Sequence, residues 1–256
     1  MISPIQQSIY ALLLGVALGW ATPNVAKAES PETAPAELTQ VLSTIETAAS
    51  AEDLDQVMTY YSPDFTHTDG FDRDSFAAAL QQFWDTYNSL TYRIELQSWE
   101  RDGTALIAET LTYVTGTELT GSRSTLDAVV RSRQRFENGQ VVSQEILAER
   151  NAISAGSNPP SVNVLLPEEV GAGEAFEFDA IVEEPLGERL LLGAAIDEGA
   201  TSVDFFEGRP VELDVLSAGG LFKIGSAPDS ADDRWISAVL IREDGLVILT
   251  RRLRVR

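Results

Sequence analysis

The chain contains no cysteine and only one histidine, His67, among its 256 residues. Without cysteine it has no disulfide, no thiol nucleophile and no Cys-ligated zinc or iron–sulfur site. A single histidine also excludes a multi-histidine metal site. We therefore expect no metal ion, and nothing in the sequence suggests a cofactor.

Basic residues are scarce as well. The 18 Lys and Arg residues face 40 Asp and Glu residues, which gives a formal net charge of −22. A field this negative repels phosphate backbones and anionic lipid head groups, so we expect no nucleic-acid partner. The composition is nevertheless that of a globular protein, because 44% of the residues are hydrophobic and only 23% are charged.

The N-terminal segment has the pattern of an export signal. Residues 9–21 form an apolar run, and Ala26-Lys27-Ala28 follows as a small-x-small cleavage site. The run is too short to cross a bilayer, which takes roughly 20 residues. We predict a signal peptide over residues 1–28, export to the periplasm or another extracytoplasmic lumen, and no stable membrane anchor after cleavage. Because no Lys or Arg precedes the run, an uncleaved anchor is the alternative.

Two breaks in composition divide the rest of the chain. Residues 29–36 are polar and contain prolines, which predicts a disordered spacer. Residues 155–161 contain Pro159 and Pro160, which block helix and ladder pairing, and predict a linker. The remaining segments, 37–154 and 162–256, each reach the usual size of a domain with its own core.

The first of these domains has an α+β pattern. Apolar residues at helical spacing predict three helices, and the Ser50-x-x-Asp53 pattern is typical of a cap that starts the second. After Ser89 the period changes to two, which predicts an antiparallel meander with a two-residue hairpin turn at Asn138-Gly139.

The second domain shows almost no helical period. Short apolar runs, including residues 203–206 and 211–216, are separated by turn signals such as Glu243-Asp244-Gly245. About eight short strands in a segment of this length predict an all-β sandwich of immunoglobulin type, here without a disulfide.

Three motifs in the first domain carry a family resemblance. They are AEDLD at 51–55, YYSPDF at 60–65 and FENGQVVS at 136–143, with an aromatic third helix before the last. In this order they resemble the nuclear transport factor 2-like superfamily, in particular its SnoaL-like members, over residues 38–149. The resemblance implies a cone-shaped, curved antiparallel sheet around three helices, with a mostly apolar pocket. It does not imply one function, since this superfamily includes isomerases, dehydratases and transport factors.

The resemblance also suggests a candidate base. In ketosteroid isomerase, a member of this superfamily, a carboxylate in the loop after the second helix moves a proton beside a substrate carbonyl. Asp69 is the most similar position in this sequence, and His67 could orient it or take part in the proton transfer. Apolar walls would raise the pKa of such a carboxylate toward neutrality. The alternative, which we favour, is that Asp69-Gly70 is a plain turn.

The partners of that isomerase mechanism are missing from this sequence. The first helix has no Tyr to stabilise an oxyanion, and the strands offer no Asp partner. Proton transfer of the isomerase or dehydratase type, with Asp69 as base, is therefore the weakest of the functional interpretations.

Aromatic residues predict the wall of a pocket for a small apolar or aromatic ligand, although an aromatic stripe is also typical of a core. The predicted pocket residues are Tyr60, Tyr61, Phe65, Trp84, Tyr87 and Tyr113.

Arg131, Arg133 and Arg135 alternate onto one face of a strand. They could hold an anionic ligand, dock the second domain or form a solvated face, and the last is the usual case. With a two-residue turn at 138–139, Arg133 is expected opposite Gln144.

Two functions remain. The first is non-catalytic binding of a small molecule in the conical pocket. The second is an exported interaction or scaffolding module, in which the sandwich binds a protein partner and the first domain could form a homodimer.

Overall fold

The computed structural model describes residues 28–118, 124–206 and 211–256. The predicted signal peptide, 1–28, lies outside the described residues except for Ala28. Within the described ranges no helix is long and apolar enough to span a membrane. The helices are α1 (Ala36–Ser50), α2 (Leu54–Thr59), α3 (Arg73–Thr86) and α4 (Ser202–Phe206), with a 3-10 helix at Pro31–Thr33. The strands of the first half are β1 (Tyr61–His67), β2 (Tyr87–Asp102), β3 (Ala105–Glu118), β4 (Ser124–Glu137) and β5 (Gln140–Gly156). Those of the second half are β6 (Val162–Leu165), β7 (Glu169–Val170), β8 (Ala175–Val182), β9 (Leu192–Gly199), β10 (Asp214–Val215), β11 (Gly220–Ser226), β12 (Arg234–Arg242) and β13 (Gly245–Val255).

Side-chain caps fix where two helices begin. The Asp72 carboxylate accepts from the Ser75 backbone N–H at 2.8 Å and starts α3. Asp53 caps α2 by accepting from Gln56 N–H at 3.0 Å. The prediction that Ser50 starts this helix is wrong, because Ser50 ends α1 and its hydroxyl accepts from Tyr92 N–H at 2.9 Å.

The first domain has the α+β architecture that the sequence predicts. Its long strands β2 to β5 form an antiparallel meander that packs against α1, α2 and α3. This confirms the predicted curved antiparallel sheet with helices. The sequence did not predict β1, which pairs in parallel with the start of β5.

The β4–β5 hairpin turns at Asn138 and Gly139, with φ values of 51° and 79°. Two-residue turns with positive φ at both positions suit the twist of a hairpin, so the predicted turn is confirmed. The predicted pairing of Arg133 with Gln144 is wrong. A bulge at Val142 shifts the register, so that Arg133 faces Glu145.

The sheet does not end with the first domain. The second half of β5 pairs with β13, and the order continues through β12 and β9 to β10. Residues 155 and 156, predicted to begin a linker, therefore lie in a strand. Among the described residues this gives one sheet of 10 strands that runs through both predicted domains.

The second half of the chain is mostly β, and much of it belongs to this large sheet. Strands β6, β8 and β11 form a separate three-stranded sheet that packs on the extension. Phe178, Leu221, Leu240 and Leu253 belong to the core between the two sheets. One sheet of the expected sandwich is thus shared with the first domain, and the immunoglobulin type remains a prediction.

Two further segments differ from the sequence-based expectation. Residues 203–206, predicted as a strand, form helix α4, because the Thr201 hydroxyl accepts from Asp204 N–H at 3.1 Å and caps a helical turn. Of the strand predicted over 211–216, only residues 214 and 215 are extended and paired.

The segment predicted as a disordered spacer, 29–36, contacts β2. Glu29 N–H donates to the Trp99 carbonyl at 2.7 Å, and the Trp99 indole N–H donates to the Ser30 carbonyl at 3.2 Å. A buried tryptophan with a satisfied N–H anchors this segment and gives it a fixed position.

Candidate functional site

His67 and Asp69 lie where β1 ends and the chain turns toward α3. The Asp69 N–H donates to His67 Nδ1 at 3.1 Å, and the Gly70 N–H donates to the His67 carbonyl at 3.0 Å. Gly70 has a φ of 83°, a conformation that glycine adopts without strain. The structure therefore brings His67 and Asp69 together within a turn.

The Asp69 carboxylate is held by an arginine from the other end of the chain. Arg252 Nη2 lies 2.6 Å from Asp69 Oδ2, and Nη1 lies 3.1 Å from Oδ1. The Arg252 side chain is 1% exposed and that of Asp69 is 6% exposed. The same guanidinium lies 3.4 Å from Glu149 and 3.3 Å from Asp233. Arg252 is thus the centre of a buried cluster with three acids.

Burial and pairing act in opposite directions on Asp69. Burial raises the pKa of its carboxyl above the usual value, and the Arg252 guanidinium opposes that rise. The pKa of Arg252 is raised because its acidic partners outweigh its own burial. A carboxylate that accepts two hydrogen bonds from a guanidinium has its best lone pairs occupied. Asp69 could take a proton from a substrate only if Arg252 moved away.

His67 is a neutral residue in an aromatic environment. Burial, followed by the charge of Arg252, lowers its pKa to about 4. Its ring centre lies 5.4 Å from that of Phe71 and 6.2 Å from that of Phe76. Since Nδ1 accepts from Asp69 N–H, the proton of the neutral ring is assigned to Nε2. His67 is thus neutral near pH 7 and accepts a hydrogen bond within the turn.

The predicted aromatic pocket residues do not form one wall. Tyr61, Phe65 and Trp84 are buried in the core of the first domain, where the Tyr61 and Phe65 rings lie 5.0 Å apart. Tyr60 and Tyr87 are partly buried and pack against that core.

Tyr113 lies on the opposite face of the sheet from this core. The Arg93 guanidinium sits 3.8 Å from its ring centre, and its hydroxyl donates to Glu95 at 3.2 Å. Strand alternation explains the separation, because the neighbouring Val114 is the residue of this pair that points toward the helices.

Polar residues interrupt the helix-facing side of the sheet. This polar layer comprises Thr110, Ser132, Gln134 and Gln144. Thr110 and Ser132 are 0% and 2% exposed, and their hydroxyls lie 3.2 Å apart. The Gln134 amide donates to the Gln144 side-chain oxygen at 3.3 Å, whereas Gln134 Oε1 is buried without a hydrogen-bond partner. Residues at such positions are usually apolar or fully hydrogen-bonded.

The C-terminal half covers the end of the cone at which Asp69 lies. Ser202 N–H, at the start of α4, donates to the Asp69 carbonyl at 2.8 Å. The ring of Phe205 lies 5.9 Å from Phe71 and 6.4 Å from Trp235. These contacts are not predictable from the local pattern, because residues 203–206 are expected to form a strand.

Within the described ranges, no group of three or more His, Asp or Glu residues is placed to hold a metal ion. The three carboxylates around Arg252 contact its guanidinium, which offsets one of their negative charges.

Comparison with known protein families assigns both halves of the chain. Residues 42–144 match the family described as SnoaL-like domain, and residues 157–256 match a family described as a domain of unknown function, DUF8623. Residues 42–144 therefore form a SnoaL-like domain of the NTF2-like fold. No curated protein matches the chain.

Several solved structures are similar to part of the chain. An NTF2-like protein of unknown function from Burkholderia pseudomallei is 22% identical, with a TM-score of 0.31, over 44% of this chain and 90% of that one. A LEH-like epoxide hydrolase from M. tuberculosis is 16% identical, with a TM-score of 0.31, over 43% and 80%. Bd1075 from Bdellovibrio bacteriovorus is 14% identical, with a TM-score of 0.32; the match covers 43% of this chain and only 38% of Bd1075.

Proposed function

We propose that this protein is an exported, non-catalytic binding protein whose small-molecule ligand contacts the polar layer inside the SnoaL-like domain. The observation that carries the proposal is Gln134 Oε1, a buried acceptor without a partner among the described residues. An unsatisfied buried acceptor costs about 1–3 kcal/mol. A ligand donor that reaches Gln134 would remove this cost, and an apolar or aromatic ligand body would suit the surrounding aliphatic and aromatic residues.

The state of Asp69 argues against catalysis. A general base needs a free carboxylate within hydrogen-bond reach of the proton that it removes. The Asp69 carboxylate instead accepts two hydrogen bonds from the buried Arg252. We accordingly expect that Asp69→Asn abolishes no activity and acts only on stability.

The export part of the proposal rests on the apolar run at 9–21 and the small residues Ala26 and Ala28. Its test is the mass of the mature chain isolated from its natural source. We expect a chain that starts at Glu29, and a chain that keeps Met1 would refute the cleavage.

The ligand is tested by native mass spectrometry of the gently purified protein. We expect an adduct of a few hundred daltons that denaturation releases, and loss of this adduct in Gln134→Met. Gln97→Met is the matched control, because Gln97 is exposed on β2, and it should keep the adduct. If the unmodified protein shows only the mass of its own chain, with no adduct and no other polypeptide, small-molecule binding is contradicted.

A second candidate function is recognition of a protein partner by the three-stranded sheet. Phe222 and Ile224 of β11 are 51% and 80% exposed, and Leu165 of β6 is 51% exposed. Exposed apolar residues grouped on one sheet often mark an interaction surface. Capture of a defined polypeptide by the unmodified protein, and not by Phe222→Lys or Ile224→Lys, would support this function.

A further inference from the structure

Two arginines face each other on the side of the large sheet away from the helices. Arg150 of β5 and Arg251 of β13 are directly paired across the two strands. Within the described ranges neither makes an ion pair with an acid. Arg251 Nη1 donates only to the Thr250 and Asn151 carbonyls, at 3.0 and 3.5 Å. Like charges directly opposite each other destabilise a pair of strands.

Neighbouring arginines on the same face have an acidic partner. Arg131 and Arg133 each contact Glu109 at 2.8 Å. In a chain with 40 acidic residues, a cation pair without an acidic partner is therefore unusual. Burial, followed by the charge of Arg150, lowers the pKa of Arg251.

A groove of about 420 Å³ lies above this arginine pair. We call it the outer groove, and its volume falls within the roughly 300–1,000 Å³ typical of small-molecule sites. One wall comprises the sheet residues Leu111, Tyr113 and Val129, and the other is formed by Val164, Leu166 and Pro167. Glu149 and Glu168 are acids at the same groove; Glu149 contacts Arg252, and neither acid makes an ion pair with Arg150 or Arg251 among the described residues. The outer groove thus combines apolar walls with an excess of positive charge.

We propose that the outer groove binds a small organic carboxylate with an apolar body. The guanidinium groups of Arg150 and Arg251 hold the carboxylate, because guanidinium donors match its two oxygens in geometry and charge. The apolar body lies between the two walls. This site is on the opposite face of the sheet from the polar layer, so it does not depend on the function proposed above.

The test uses three probes with the full chain: decanoate, decan-1-ol and inorganic phosphate. Calorimetric titration should show one saturable site for decanoate, with decan-1-ol binding at least about tenfold more weakly. Phosphate should not compete with decanoate. Equal binding of decan-1-ol, or binding of phosphate in preference to decanoate, would overturn the proposal.

Variants of the two arginines test whether decanoate binds in the outer groove. Arg150→Gln and Arg251→Gln should each weaken decanoate binding by about tenfold or more. Arg133→Gln is the matched control, since Arg133 lies on the same face, pairs with Glu109 and does not line the outer groove. Unchanged decanoate binding by the variant that carries both Arg150→Gln and Arg251→Gln would refute the site.

The melting temperatures of the unliganded variants distinguish a loss of folding from a loss of binding. Removing one of two facing like charges should leave the melting temperature equal or higher, and a clear decrease would show that the pair holds the fold and would overturn the proposal. Gln134→Met should leave decanoate affinity unchanged. The outcome for the outer groove is therefore independent of the outcome for the polar layer.

Discussion

Replacing Arg252 with methionine tests the buried cluster. The variant keeps much of the side-chain volume but removes the charge beside Asp69, Glu149 and Asp233. Arg252 and Asp69 are almost fully buried, at 1% and 6% exposure, so water cannot solvate the carboxylate that remains. Removing one partner of such a pair typically costs about 3–5 kcal/mol. We expect a loss of this size in the free energy of unfolding near neutral pH.

The pH dependence of this loss follows from Asp69. Its pKa is raised in the folded protein, and loss of Arg252 would raise it further, whereas an unfolded aspartate titrates near about 3.9. A group with a raised folded-state pKa favours folding below the unfolded pKa, and that contribution is lost as the pH rises through the folded pKa. The deficit of Arg252→Met should therefore be large near neutrality and shrink as the pH falls toward about 4.

Urea unfolding near neutral pH and at acidic pH measures both effects. Arg254→Met is the matched control, because Arg254 lies on the same strand, is 22% exposed and pairs with Glu145 and Glu169. Such a partly exposed pair should contribute only about 0–1 kcal/mol. Adding Asp69→Asn to Arg252→Met should recover about 1–3 kcal/mol. Equal losses in the two methionine variants, or a deficit that grows with acid, would refute the reasoning.

Three further predictions concern the turn, the sheet junction and the shared sheet. Because the pKa of His67 is about 4 in the fold and about 6.5 when unfolded, stability should fall by roughly 3 kcal/mol as the pH drops through this window, and His67→Gln should flatten that slope in urea titrations. Gly156→Ala would place a Cβ 2.6 Å from the Asp244 carbonyl oxygen at a φ of 99°, and should cost about 2–4 kcal/mol. Gly103→Ala, with a φ of 61° and no contact within 4 Å, should cost only about 1 kcal/mol in the same thermal denaturation assay. A fragment that ends at residue 156 should unfold at lower urea than the full chain, because it loses β13 from the edge of β5; an equal midpoint would show that the first domain is independent.

Local signals explain which parts of the fold could be predicted. The helices α1 to α3, the meander and the turn at 138–139 depend on periodicity, caps and turn residues, which are signals from residues close together in the sequence. Strand β1 was missed because its partner, β5, lies far along the chain and Pro63 interrupts its pattern. The bulge at Val142 was missed as well, and this single extra residue moved Ser143 and Glu145 to the face of the arginines.

The site shows the same division between local and distant information. The family resemblance led to Asp69 and His67, and both lie in one turn. The sequence does not predict Arg252 as the partner of Asp69, since the two residues are 183 positions apart. Nothing in the local pattern distinguishes an arginine that enters a buried cluster from one that faces solvent.

Adjacent arginines on β13 show why the pairing of a charge matters more than its sequence position. Side chains alternate between the faces of a strand, so Arg252 points toward Asp69, whereas Arg251 lies beside Arg150 on the other face. Arg252 contacts three acids, so its charge is paired within the fold. Arg251 meets Arg150 and no acid among the described residues, so its charge remains available to an anion. The same strand therefore closes off the residue that the family resemblance suggests as a base, and presents a cation on its other face.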